Sequence, residues 1–141
     1  MHNDEKRPKV GIGVMIFKEG KILLGLRTYS HGKGEYLFPG GHLEYMESFE
    51  QCARMETLEE AGIEITNIRF GFLANVTTYE PHHFVHIGLI ADWKVGEVKA
   101  LEPKKIVNWQ WYDLNDLPKP MFTMCTLALE TIKTGVKYID L

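Results

Sequence analysis

The chain has 141 residues, 45% hydrophobic and 25% charged, which fits one domain able to bury a core without covalent staples. Its net charge of −3 excludes the broad basic face of a nonspecific nucleic-acid binder. It does not exclude a nucleotide, which a few local cations or a metal can hold. Cys52 and Cys125 are too few for a disulfide framework. The N-terminus is polar, and no apolar run approaches the ~20 residues that cross a bilayer. A soluble, cytoplasmic protein with reduced thiols and no membrane partner is expected.

In chain order, residues 10–17 and 21–27 are apolar, β-prone runs around Lys18-Glu19-Gly20, which predicts a hairpin. Residues 28–35 carry two glycines and no hydrophobic period, as a loop does. Tyr36-Leu37-Phe38 is a short extended piece ending at Pro39-Gly40-Gly41. Ser48 and Gln51 form a capping box, Gly62 supplies a stop, and residues 49–61 between them predict a helix. Strands are expected over 63–79 and 82–93, the second alternating Phe84, His86 and Gly88 against Val85, Ile87 and Leu89. A polar loop over 94–104, a short strand over 109–112 and an amphipathic helix over 121–134 follow. That helix is expected to bury Phe122, Cys125, Leu129 and Ile132. The pattern implies a single α/β domain over residues 1–141, with a mixed β-sheet between helices.

Glu56, Glu59 and Glu60 lie at i, i+3 and i+4 on the first helix, so they share one face. Like charges at those spacings cost roughly 0.2–0.5 kcal/mol per pair. The last turn before Gly62 is also where the helix dipole disfavours anions. At 100° per residue, Glu56 and Glu60 fall on the stripe of Phe49 and Ala53, which turns them toward the protein. Carboxylates gathered there call for a hard cation, Mg²⁺ with Mn²⁺ as a substitute.

From Gly41 the segment runs Gly41-x5-Glu47-x7-Met55-Glu56-Thr57-Leu58-Glu59-Glu60-Ala61-Gly62-Ile63. It closely resembles the Nudix box, G-x5-E-x7-R-E-U-x-E-E-x-G-U with U apolar. Gly41, Glu47, Glu56, Glu59, Glu60, Gly62 and Ile63 match at fixed spacing. Two positions depart. Thr57 stands at an apolar position, where its methyl can pack while its hydroxyl is exposed. Met55 replaces the box arginine, which in the family orients the catalytic carboxylates. Arg54 next door projects about 100° away.

The resemblance implies an α/β/α Nudix sandwich and metal-dependent hydrolysis of a pyrophosphate bond. By that likeness Glu56 and Glu60 are the core metal ligands. Glu59 is a third ligand or the water-activating base, so Glu56 and Glu59 are the catalytic pair. The backbone at Gly40 or Gly41 completes the shell, and Glu102 is a further acidic ligand or base as in MutT-type relatives. Glu47 and Gly62 are structural. Phe38, Gly40 and Arg27 are assigned to the substrate, Arg27 through a phosphate. Of His82, His83 and His86, no cysteine or carboxylate spacing supports a zinc site; they are expected on the surface or the substrate side. Of Trp109 and Trp111, one should pack in the core and the other approach a base.

The run Gly40-Gly41-His42-Leu43-Glu44 looks most like MutT-type members, which implies a nucleoside triphosphate cleaved to monophosphate and pyrophosphate. Tyr79 and Pro81 hint instead at dinucleoside polyphosphate or ADP-ribose hydrolases. A nucleotide-binding module with weakened catalysis is the reading from another class. A homodimer is compatible with the sequence, which does not set the oligomeric state.

Overall fold

The computed structural model describes residues 6–30 and 32–141; residues 1–5 of the polar N-terminus and His31 of the 28–35 loop lie outside the described residues. The elements are β1 (Lys9–Lys18), β2 (Lys21–Arg27), β3 (Tyr36–Leu37), β4 (Gly40–His42), α1 (Phe49–Ala61), β5 (Glu64–Tyr79), β6 (His82–Val95), β7 (Ile106–Asp113), α2 (Thr123–Thr134) and β8 (Tyr138–Asp140).

The strands form one mixed sheet in the order β3-β2-β1-β6-β5-β8, with β4 on β1 and β7 on β2. β1 runs parallel to β6 and β5 parallel to β8, while the other pairs are antiparallel. β1 lies inside the sheet and buries both faces, so it reads as a near-continuous apolar run, from Ile12 through Val14, Met15 and Ile16. α1 packs on β4, β1 and β5, and α2 on β5. The α/β/α arrangement implied by the sequence is the one observed.

Helix α1 begins and ends where its caps lie. Ser48 Oγ accepts from the Gln51 N–H at 3.0 Å, and Gln51 Oε1 accepts from the Ser48 N–H at 2.8 Å. Gly62 adopts a left-handed φ of 73° and donates to the Leu58 carbonyl at 3.0 Å. The chain then folds back over this end. Lys99 and Leu101 N–H groups reach the Ala61 and Glu60 carbonyls at 2.9 and 3.2 Å. The Trp109 indole donates to the Glu60 carbonyl at 3.1 Å. Carbonyls that a helix end leaves unpaired are thus met from the loop before β7 and from β7 itself.

Several expectations shift. α2 starts at Thr123, and its buried face is Met124, Cys125, Ala128, Leu129 and Thr131; Ile132 is 44% exposed. Cys125 and Leu129 are buried as expected, while Phe122 precedes the helix and Ile132 lies in its last turn. β7 is twice the length expected because its polar residues pair with β2. β4 and β8 escape periodicity, being three residues each and stabilised by pairing with β1 and β5. Phe49, placed on the inner stripe of α1, is 47% exposed because the first turn overhangs the sheet, whereas Ala53 is fully buried. Thr57 is also fully buried, and its hydroxyl has no hydrogen-bond partner, contrary to the expected exposed hydroxyl.

Candidate active site

The end of α1 meets the β4 glycines at the edge of a pocket of about 210 Å³. Glu60 is 5% exposed and accepts from the Gly40 N–H at 2.9 Å. Glu56 lies against Gly41 so closely that a Cβ there would stand 2.5 Å from its carboxyl carbon. A Cβ at Gly40 would run into the Ile12 carbonyl oxygen across the β1–β4 pairing. Glycine is required at both positions because backbone approaches backbone at one and a carboxylate at the other.

The electrostatics follow from this placement. Burial pushes the Glu56 carboxyl up to about 7, helped by the charges of Glu59, Glu102 and Glu47 and opposed by Lys105. Burial likewise pushes Glu60 up to about 8; the Gly40 hydrogen bond and Lys105 oppose this, while Glu56 and Glu102 add to it. Glu102, on the loop before β7, is therefore close enough to act on both helix carboxylates. It pairs with the Lys105 ammonium at 3.7 Å.

Glu59 is exposed on the same helix, and its charge acts on Glu56. Glu47 accepts from the Glu44 N–H at 3.0 Å, holding the loop before α1. Arg27, Phe38, Gly40, Gly41 and Glu60 all line the pocket. Arg27 donates to the Tyr29 carbonyl at 3.0 Å and lies over the Tyr29 ring at the end of β2. Arg54 is committed elsewhere, to the Ile65 carbonyl at 2.5 Å and the Glu50 carboxylate at 2.9 Å. Met55 is 50% exposed.

The donor set fits a hard divalent cation. Two carboxylates, one nearly buried, stand beside a glycine cradle with further acids in range, and desolvation disfavours their charge unless a cation compensates it. Among the described residues no three His, Cys, Asp or Glu close around a point as a complete shell. Mg²⁺ does not need one, since it ordinarily keeps waters and substrate phosphate oxygens alongside one or two carboxylates.

Other residues fall differently. Trp109 packs in the core over Gly25, but Trp111 does not line the pocket; it lies 5.7 Å from the Lys18 ammonium, which sits over Trp93. His82 is exposed and stacks on Phe84, and His83 bonds to Asn75 Oδ1. His86 lines the pocket, as do Tyr79, Phe84 and Phe122. The sequence reading leaves His86 between the surface and the substrate side and takes Tyr79 as a substrate hint; it does not assign Phe84, Phe122 or Lys105 to the site. The signal available for the pocket was the pair Gly11 and Gly13 interrupting an otherwise apolar strand.

Residues 7–125 match the model of the NUDIX domain, so the chain belongs to the Nudix hydrolase family. Similar curated proteins include the NAD-capped RNA hydrolase NudC of Salmonella paratyphi C, 32% identical over 108 residues, covering 74% of this chain and 39% of that protein. The oxidized purine nucleoside triphosphate hydrolase of Danio rerio is 31% identical over 111 residues, covering 74% of this chain and 66% of that protein. The chain thus spans about two-fifths of the NudC relatives' length. Among solved structures, a MutT NUDIX hydrolase from Burkholderia pseudomallei superposes with a TM-score of 0.84 at 29% identity, covering 89% of this chain and 98% of that one. Among the described residues no helix is long and apolar enough to cross a membrane.

Proposed function

We propose that this chain hydrolyses a pyrophosphate bond in a nucleoside diphosphate derivative, with a nucleoside triphosphate, cleaved to monophosphate and pyrophosphate, as the leading substrate. The observation that carries this reading is the seating of Glu56 and Glu60 against Gly41 and Gly40 at the rim of an aromatic pocket. In it, Glu56 and Glu60 would hold the cation, with Glu102 and the Gly41 backbone as further oxygen donors. Mg²⁺, when bound, neutralises phosphate charge and makes water a better nucleophile.

The protein's own groups do the rest. Glu59, exposed beside Glu56 and Glu60, accepts the proton of the attacking water as its oxygen bonds to the α-phosphorus, and the α–β bridging oxygen leaves with the pyrophosphate. The Gly40 N–H holds Glu60 in place. Arg27 meets a phosphate from the pocket mouth, and Phe38 packs against the nucleoside.

A second reading is supported by the NudC relatives, whose named substrate contains a dinucleotide pyrophosphate. A panel of nucleoside triphosphates, ADP-ribose, dinucleoside polyphosphates and an NAD-capped oligonucleotide, with Mg²⁺ or Mn²⁺, separates the two by the products released. Glu56→Gln and Glu60→Gln are each expected to lower kcat by about two orders of magnitude with the fold intact. Full activity in both variants would remove them from the site.

A further inference from the structure

His86 stands apart from the carboxylates but opens on the same pocket. The parallel register of β1 and β6 sets His86 beside Gly11 and Gly88 beside Gly13. With no side chains on those two β1 positions, the imidazole lies over them: a Cβ at Gly13 would be 2.7 Å from Nε2, and one at Gly11 3.4 Å from Nδ1. Phe72 stacks on the ring at 5.7 Å and 29°. Glycine strand and phenyl ring thus pin an imidazole that larger β1 residues would expel.

Its ring nitrogens bond to no group among the described residues, yet they are not sealed from the pocket. The imidazole lines the pocket with both nitrogens uncommitted, which leaves one donor and one acceptor available to a ligand's polar atom. Burial pushes this imidazole down to about 4, and it is therefore neutral near pH 7. A neutral imidazole has one donor and one acceptor nitrogen, and the hydrogen bond on one nitrogen ordinarily fixes which is which. Here nothing in the protein fixes it. The imidazole reaches back from β6 over β1, so it lies about one strand spacing, roughly 5 Å, from the β4 glycines that face the carboxylates. A nucleotide with its phosphates on the Glu56 and Glu60 side of β4 would bring its base across β1 to His86.

We propose that His86 receives the polar edge of the nucleobase and, with its tautomer unconstrained, accommodates either a donor or an acceptor there, so that the pocket accepts both amino- and oxo-purines. This rests on the nucleotide reading above, and the test keeps the two apart. Binding of AMP and IMP, whose N1 and C6 edges exchange donor and acceptor, is measured by calorimetry in EDTA, where no turnover is required. Hydrolysis of ATP, ITP and inorganic tripolyphosphate is measured separately with Mg²⁺.

In the wild type, AMP and IMP are expected to bind within about threefold of one another. His86→Phe, which keeps the stack on Phe72 and removes both nitrogens, is expected to weaken both by about tenfold. Tripolyphosphate, which has no base, should be turned over equally by both proteins. His86→Gln, whose amide both donates and accepts, should restore most of the affinity and serves as the comparison if the phenylalanine variant does not fold. Undiminished binding of both nucleotides by folded His86→Phe would overturn the proposal. So would a more than tenfold preference between AMP and IMP in the wild type, or an equal loss on tripolyphosphate. Base binding without any hydrolysis would instead overturn the catalytic reading and leave this one standing.

Discussion

The carboxylate of Glu56 occupies the space that a side chain at Gly41 would need, with both oxygens 2.7 Å from the position of that missing Cβ. The obstacle is the end of a flexible side chain, so the carboxylate can swing away at small cost to stability. Gly41→Ala is therefore expected to keep a melting temperature within a few degrees of wild type while lowering kcat at least tenfold. Gly40→Ala meets the Ile12 backbone instead and should unfold far more readily. Melts and steady-state kinetics on both proteins check this; an active, stable Gly41→Ala would mean that Glu56 is not held at the reacting centre.

Met55→Arg is expected to raise kcat by roughly tenfold, equivalent to about 1.4 kcal/mol of barrier. Half of Met55 is exposed, so little packing is lost. Arg54 is tied to Glu50 and the Ile65 carbonyl and cannot already do the work of the absent arginine. The gain should appear in kcat more than in KM, since orienting a base acts on the transition state. A stable variant with unchanged kcat would show that the carboxylates are ordered by other means, with Lys105 the first to test.

Thr57→Val should stabilise the protein. The hydroxyl is buried without a partner, and removing it from a volume that valine fills relieves about 1 kcal/mol or more of desolvation. The melting temperature should rise by roughly a few degrees. A fall would indicate that the hydroxyl bonds to an ordered water that valine cannot replace.

His86 gives the protein an acid-side dependence. Its pKa is about 4 in the folded state against an ordinary value of 6.5, so below pH 6.5 the unfolded chain binds more protons. Stability from this group is complete above pH 6.5 and falls as pH drops toward 4, by about 3–4 kcal/mol at most. The difference in stability between wild type and His86→Phe should vary across that window and be flat above it. Denaturant melts between pH 4 and 8 measure it, and a difference independent of pH would mean that the imidazole titrates normally.

What was legible in the sequence was what local chemistry dictates. The capping box and Gly62 bounded α1 because caps act within a few residues, and fixed spacing grouped Glu56 and Glu60. The hairpin of β1 and β2 followed from two apolar runs about a short turn. What the sequence hid depends on pairing across long separations. The Gly40 bond to Glu60 spans twenty positions, and Glu102 reaches the helix because Lys99 and Leu101 bind its last carbonyls. His86 stayed between the surface and the substrate side because its alternation with Ile87 says only which residues share a face. The alternation does not say that the neighbouring strand has glycines there.

Glu60 is held at both ends, its main-chain oxygen by Leu101 and Trp109 and its side chain by Gly40. Four stretches of chain therefore meet at one residue. Such a junction should behave as a single protected unit in amide hydrogen exchange. Gly40 and Leu101 should exchange at similar rates although their positions are far apart in the chain. Trp109→Phe, by freeing one of these ties, should quicken exchange at the other two together.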